Sequence, residues 1–119
     1  MLTFDSGSLG ALSPQECLGL LAVPGEAQVN LTRHPLPEPL PLGFALEDDA
    51  LLLHPEPAGP LAAALVEADL TVEVGATDRH ARTGWRVVVT GRAEPTGDGA
   101  LRLLPTDVSG YRIASRRTA

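Results

Sequence analysis

The sequence predicts a mainly β protein, a small antiparallel barrel of six or seven strands with two short helices. Three observations favour this class: turn signals recur at short intervals, several segments alternate apolar and polar residues, and no long helical pattern separates them. The 119 residues suit one domain. We assign that domain to residues 13–114, between flexible tails at 1–12 and 115–119.

The first predicted element after the N-terminal tail is a short helix that begins at SPQE, residues 13–16. Ser13 can cap the helix, Pro14 suits its first position, and Glu16 completes a capping box. The leucines that follow Cys17 form an apolar face, and the helix ends near Pro24-Gly25. We therefore interpret Cys17, the only cysteine, as a buried helix residue and not as a nucleophile.

An alternating strand is predicted over residues 26–33, and a proline-rich segment follows it. Its prolines stand at every second position from 35 to 41 and remove backbone donors along one side only. This pattern indicates an edge strand, or an extended segment that faces a partner. Residues 42–46 and 50–53 then flank the acidic turn 47–49 and predict a hairpin.

A second helix is predicted over residues 61–68, before a strand at 70–74 and a polar loop at 75–84. The next strand starts with the only tryptophan, Trp85, which shares one face with the second and fourth residues that follow it. Arg86 lies on the other face, which is also partly apolar, so this strand is predicted to be central. Gly91 suggests a bulge or a barrel corner. After a turn at 95–99, the segments LRLL and VSGYRIA predict the last strands.

Composition excludes several classes of function. The net charge is −6 and all nine basic residues are arginines, which argues against nucleic-acid binding and against any lysine-dependent chemistry. No apolar run approaches the roughly 20 residues that span a bilayer, and the N-terminus is not a signal peptide, so we expect a cytoplasmic protein without membrane contact. His34, His54 and His80 lack metal-site spacing, so no metal site is predicted.

Four segments together resemble the small bacterial pyridoxamine 5′-phosphate oxidase-like proteins, which are split barrels that bind flavin mononucleotide (FMN). The segments are ECLGLLA, GPLAAAL, TVEVGATDRHARTGWRVVVTGRAE and VSGYRI, and the similarity runs from residue 12 to residue 113. The resemblance implies a six-stranded split barrel and a homodimer with two cofactor sites at the interface. It also implies an FMN-dependent oxidoreductase in which hydride passes from a nicotinamide to the flavin.

The resemblance implies a cofactor site but no catalytic residue. The cofactor-binding residues that it indicates are Pro41, Gly43, Leu53, His54, Gly59, Trp85 and Arg86. The flavin ring would lie over the second and third strands, and Trp85 and Arg86 would edge the cleft, either from the same chain or from its partner.

The phosphate-binding positions depart from the family pattern. Relatives carry an Arg and an Asn where this chain has LPLGF at 40–44, and Arg, Thr, Ser and Lys where it has residues 54–55 and 58–60. A phosphate calls for charge-assisted donors, and the candidate replacements are Arg86, His54, and Arg79 or Arg82. An alternative function therefore stays open: a dimer that has lost its cofactor and binds a small metabolite or a partner protein.

Overall fold

The computed structural model describes residues 7–55, 60–78 and 80–115. Seven strands and two helices lie in this part of the chain. They are β1 (Gly7–Ala11), α1 (Pro14–Leu20), β2 (Gly25–Leu31), β3 (Leu40–Glu47), β4 (Ala50–His54), α2 (Pro60–Leu65), β5 (Asp69–Asp78), β6 (Thr83–Pro95) and β7 (Leu101–Ser115).

Six of these strands close into an antiparallel barrel in the order β7-β4-β3-β2-β5-β6, with β6 paired back to β7. Strand β1 is an additional strand that pairs with β7. The predicted mainly β class, with a six-stranded antiparallel barrel and two short helices, is therefore confirmed, and one further strand is added to it.

Strand β1 differs from the sequence prediction, which placed residues 1–12 in a tail. Gly7–Ala11 instead pair with Tyr111–Ser115 of β7. The reason is the length of β7: strand β4 pairs with it only at residues 101–103. The far end of β7 is left with unpaired backbone groups on that side, and β1 satisfies them.

Strands β5 and β6 form a longer hairpin than predicted. Residues 75–78 were expected in a polar loop, but they continue β5 and pair with residues 83–86. The side chains of residues 75–78 are exposed to solvent, which explains their polar character. The backbone pairing of β5 with β6 continues here beyond the part of the hairpin that covers the core. The last predicted strands are likewise one element, β7, whose pairing with β6 shifts register between Thr90 and Gly91, at the position where a bulge or a barrel corner was predicted.

The barrel core consists mainly of inward-facing aliphatic residues, and α1 packs against it through Cys17. Its members are Cys17, Leu21, Ala27, Val29, Leu42, Phe44, Leu51, Leu53, Leu65, Leu70, Val72, Val74, Val87, Val89, Ala93, Leu101 and Leu103. Helix α1 has the predicted capping box, in which the Glu16 backbone N–H donates to Ser13 Oγ and the Ser13 N–H donates to Glu16 Oε1. Cys17 is fully buried, as predicted.

The β3–β4 hairpin is tight because both central residues of its turn adopt positive φ. Asp48 and Asp49 have φ of 51° and 65°, the conformation of a two-residue hairpin turn. Within the described residues, Leu40 to Leu42 pair with β2 alone, and β3 pairs with β4 only from Gly43 onward. The end of the proline-rich segment is therefore paired on one side only, as in an edge strand. Pro41 is the only one of its prolines that lies in β3.

Candidate functional site

The predicted site residues of β3 and β4 lie close together. Pro41 and Gly43 are exposed on β3, and His54 is exposed at the end of β4, directly opposite Gly43. The Leu53 side chain points the other way and is fully buried in the core, so only its backbone can face a ligand. Gly59 lies outside the described residues.

The other predicted site residues lie on β6. Trp85 is half-buried and packs against the core, opposite Ala76 of β5. Arg86 is exposed on the outer face of the barrel and stands between Gly75 of β5 and Tyr111 of β7. The close pairing of β5 with β6 depends on Gly75, since a Cβ at that position would lie 2.9 Å from the Trp85 carbonyl oxygen.

The structure therefore divides the predicted site residues into two groups, which we call the β3–β4 group (Pro41, Gly43, His54) and the β6 group (Trp85, Arg86). Strands β2 and β5 separate β3 from β6. Three strand spacings amount to about 14 Å along the sheet. Because the barrel closes through the pairing of β6 with β7, β3 and β6 are three strands apart in either direction, so within one chain the two groups lie on different sides of the barrel and not in a single closed pocket.

A shallow cleft of about 390 Å³ lies on the outer face beside Arg86, and we call it the outer cleft. Its walls are Glu26, Gln28, Glu73, Gly75, Ala76, Thr77, Trp85 and Arg86. Arg86 Nη1 donates to Glu73 Oε1 at 2.5 Å, with the two side chains 50% and 41% exposed. Because Glu26 adds a second carboxylate, the ionisable groups of this cleft sum to a negative charge.

The opposite face of the same hairpin carries a second cleft, of about 250 Å³, which we call the inner cleft. Trp85 lines it together with Arg112, which is its direct partner on β7. The charge of Arg112 also acts on Glu16 of α1: hydrogen bonds from Ser13 lower the pKa of Glu16, and Arg112 lowers it further. Trp85 thus borders both clefts.

A third cleft, of about 290 Å³, contains His54 with Pro55 and residues 98–100. The hydroxyl of Thr96 donates to Asp98, and the backbone N–H of Ala100 donates to the same carboxylate at 3.1 Å. These hydrogen bonds, together with the charge of His54, hold the pKa of Asp98 below its ordinary value. His54 therefore has an ionised carboxylate beside it at neutral pH.

The other side chains considered from the sequence do not add to these clefts. Arg82 is exposed at the β5–β6 turn with φ of 57°, and Arg79 lies outside the described residues. Burial, followed by the charge of Glu16, raises the pKa of Cys17, so the thiol stays protonated. In the described part of the chain, no three potential metal ligands cluster and no helix is long and apolar enough to cross a membrane.

Comparison with known proteins identifies the family. A family model described as pyridoxamine 5′-phosphate oxidase matches residues 13–112, which is most of the chain. The chain belongs to the pyridoxamine 5′-phosphate oxidase family. The family resemblance inferred from the four sequence segments is thus confirmed. No curated protein gives a significant match to this member of the family.

Solved structures share the fold of this family member. An FAD-binding protein from Mycobacterium smegmatis has a TM-score of 0.77 at 24% identity, and the match covers 88% of this chain and 98% of that chain. An FAD-binding protein from Mesorhizobium loti has a TM-score of 0.74 at 21% identity, with 91% and 98% covered. An FAD and heme binding protein from M. smegmatis has a TM-score of 0.65 at 20% identity, with 95% and 75% covered.

Sequence reasoning missed the carboxylates of the outer cleft. Glu73 was read only as part of a strand, and the expected loop at 75–84 concealed that β5 and β6 pair over ten residues of each. The signal was present in the alternation of residues 73–77, since Glu73 and Gly75 share one face of an extended strand. An antiparallel partner strand would then bring Arg86 to the same face.

Proposed function

We propose that this chain is a flavin-binding split-barrel protein, a homodimer that uses FMN as an oxidoreductase cofactor for a substrate still unknown. Membership of the family and the FAD-binding proteins among the similar structures support the proposal. The observation that carries it is the division of the predicted site residues into the β3–β4 group and the β6 group. Each group is at least partly exposed and forms half of a site, as expected where a second copy of the chain completes it.

An apolar strip beside Arg86 supports dimerisation. Leu9, Tyr111 and Ile113 are 71%, 38% and 42% exposed. The strand register places Leu9 opposite Ile113 and Arg86 opposite Tyr111, so the strip and Arg86 share the outer face. A second copy of the chain is the occupant that we propose for this strip, because its β3–β4 group would then reach the first copy's β6 group.

The two parts of a flavin fit the described residues differently. The ring system is flat and largely apolar, and the exposed surface of Pro41 and Gly43 and the half-buried Trp85 suit it. The phosphate does not fit: on the described outer face, Arg86 is paired with Glu73 and His54 lies beside Asp98. The described side chains can therefore contact the flavin ring, but they provide few favourable contacts for the phosphate.

When bound, a flavin supplies hydride and electron transfer, while the protein supplies binding and orientation. The described residues are suited to that limited role. Trp85 is fixed by its packing against the core, so it forms a rigid wall beside both clefts. Asp98 stays ionised at neutral pH and is an acceptor, so it does not donate a proton near His54.

The proposal is tested by purifying the protein, recording its visible absorbance, and titrating the apoprotein with FMN and FAD. Bound flavin is expected to quench the emission of Trp85, the only tryptophan. A colourless protein that binds neither flavin would refute the cofactor part of the proposal.

The dimer is tested by light scattering, which should give about twice the chain mass of 12.4 kDa. The substitution Ile113→Arg is expected to yield a monomer with weakened flavin binding. The matched control is Val23→Arg, since Val23 is 74% exposed but lies between α1 and β2. A wild-type monomer, or equal behaviour of the two variants, contradicts the proposed interface.

A second candidate function is a cofactor-free dimer that binds a small metabolite or a protein partner. The observation that favours it is the Arg86–Glu73 ion pair, in which Glu73 already engages the cation that was expected to bind a phosphate. The flavin titration separates the two candidates, because only the first requires that the dimer bind a flavin.

A further inference from the structure

We propose that the site holds a flavin through its ring system alone, and that the flavin phosphate contributes nothing to affinity. Riboflavin, which lacks the phosphate, should then bind at least as tightly as FMN. This inference rests on the proposed flavin binding and specifies which part of the ligand the protein recognises.

The first argument is the state of Arg86. Its guanidinium lies 2.5 Å from Glu73 Oε1, and Glu26 lines the same cleft. To contact a phosphate, Arg86 would have to leave Glu73 without its partner or hold two anions at once. A phosphate entering the outer cleft would also meet both carboxylates as like charges. Arg86, the most obvious phosphate ligand of the chain, is therefore already engaged by a carboxylate.

The second argument is that two further basic side chains described on the outer face, His54 and Arg102, also lie beside carboxylates. His54 shares its cleft with Asp98, whose lowered pKa keeps it ionised. Arg102 lies directly opposite Glu94 in the pairing of β6 with β7. Moving the phosphate from the outer cleft to His54 or to Arg102 therefore does not free it from a neighbouring carboxylate.

The third argument comes from the sequence between β4 and α2. Residues 55–60 read PEPAGP, which contains one glutamate, no cationic side chain and three prolines. Proline has no backbone N–H, so this connection offers few backbone donors as well. This connection, which the family resemblance implies as a phosphate-binding position, thus has no cationic side chain and few backbone donors, whereas Trp85 and the exposed surface of Pro41 and Gly43 remain to contact a ring.

The test compares riboflavin, FMN and FAD in titrations of the purified apoprotein, followed by flavin fluorescence. A phosphate held by two charge-assisted hydrogen bonds would favour FMN over riboflavin on the order of 100-fold. We expect instead that the two affinities agree within about threefold, or that riboflavin binds more tightly. A preference for FMN of about tenfold or more overturns the inference but leaves flavin binding intact. Failure of all three ligands to bind overturns the proposed function as well.

A pair of variants tests the role of the ion pair. Glu73→Gln removes the carboxylate that engages Arg86, so FMN should gain about tenfold over riboflavin. The matched control is Glu67→Gln, which removes the same charge from an ion pair with Arg92 at 3.9 Å outside the cleft. The control should leave the FMN-to-riboflavin ratio unchanged. An unchanged ratio in Glu73→Gln contradicts the inference.

Arg86→Gln gives an independent measurement, which also serves if Glu73→Gln does not fold. Because Arg86 does not hold the phosphate in this proposal, the substitution should change the FMN-to-riboflavin ratio by less than about threefold. A loss of FMN affinity of about tenfold with riboflavin unaffected would show that Arg86 does bind the phosphate, and would overturn the inference.

Discussion

Substitution of Leu53 by alanine distinguishes a core role from a cofactor-lining role for this residue. The side chain is fully buried and its neighbours in the strand register are Phe44 and Leu101, both core members. Removing three carbon atoms costs about 2.4 kcal/mol of transfer free energy at about 0.8 kcal/mol each. A residual cavity raises the loss to about 3 kcal/mol. The melting temperature should fall by roughly 10 °C, measured by circular dichroism.

The control for this prediction is Leu104→Ala, since Leu104 is 47% exposed and its truncation should cost less than about 1 kcal/mol. Flavin titration of the folded Leu53→Ala protein completes the experiment. If the substitution costs less than about 1 kcal/mol and flavin affinity falls sharply, Leu53 contacts the ligand and its assignment to the core is wrong.

Three further predictions concern the fold. A Cβ at Gly91 would collide with the carbonyl oxygen of Leu104, so Gly91→Ala should destabilise by about 1–3 kcal/mol in urea unfolding; an unchanged midpoint would contradict the bulge geometry. Asp49→Gly should raise stability by about 0.5 kcal/mol, because Asp49 has φ of 65°; a loss in thermal melts would count against that turn. The pKa of Glu16 is lowered by the hydrogen bonds of its cap, so its contribution is present above its unfolded pKa and is lost as pH falls through the folded value. Wild type and Glu16→Gln should therefore differ in stability at neutral pH and converge in acid, and parallel stability curves across that range would exclude the effect.

The elements that depend on neighbouring residues could be predicted from the sequence. The capping box forms between Ser13 and Glu16, which are only three positions apart in the sequence. The turn at Asp48 and Asp49 is likewise determined by the four residues of the hairpin bend. The alternation after Trp85 placed Val87 and Val89 on one face of the strand for the same reason, since strand periodicity is a local property, and both residues are buried in the structure. The resemblance to the family also came from contiguous segments.

Interactions between distant residues were decided only by the tertiary structure. Strand β1 exists because residues 111–115, about a hundred positions away, present an unpaired edge to it. Which face of β4 turns inward decides that Leu53 is core and His54 is exposed, and that depends on how the barrel closes. The charge of Arg86 is likewise visible in the sequence, but its neutralisation by Glu73 depends on the β5–β6 register. Local propensity and periodicity are properties of a segment, whereas pairing, burial and charge compensation are properties of the assembled barrel, because they arise only where separate segments meet.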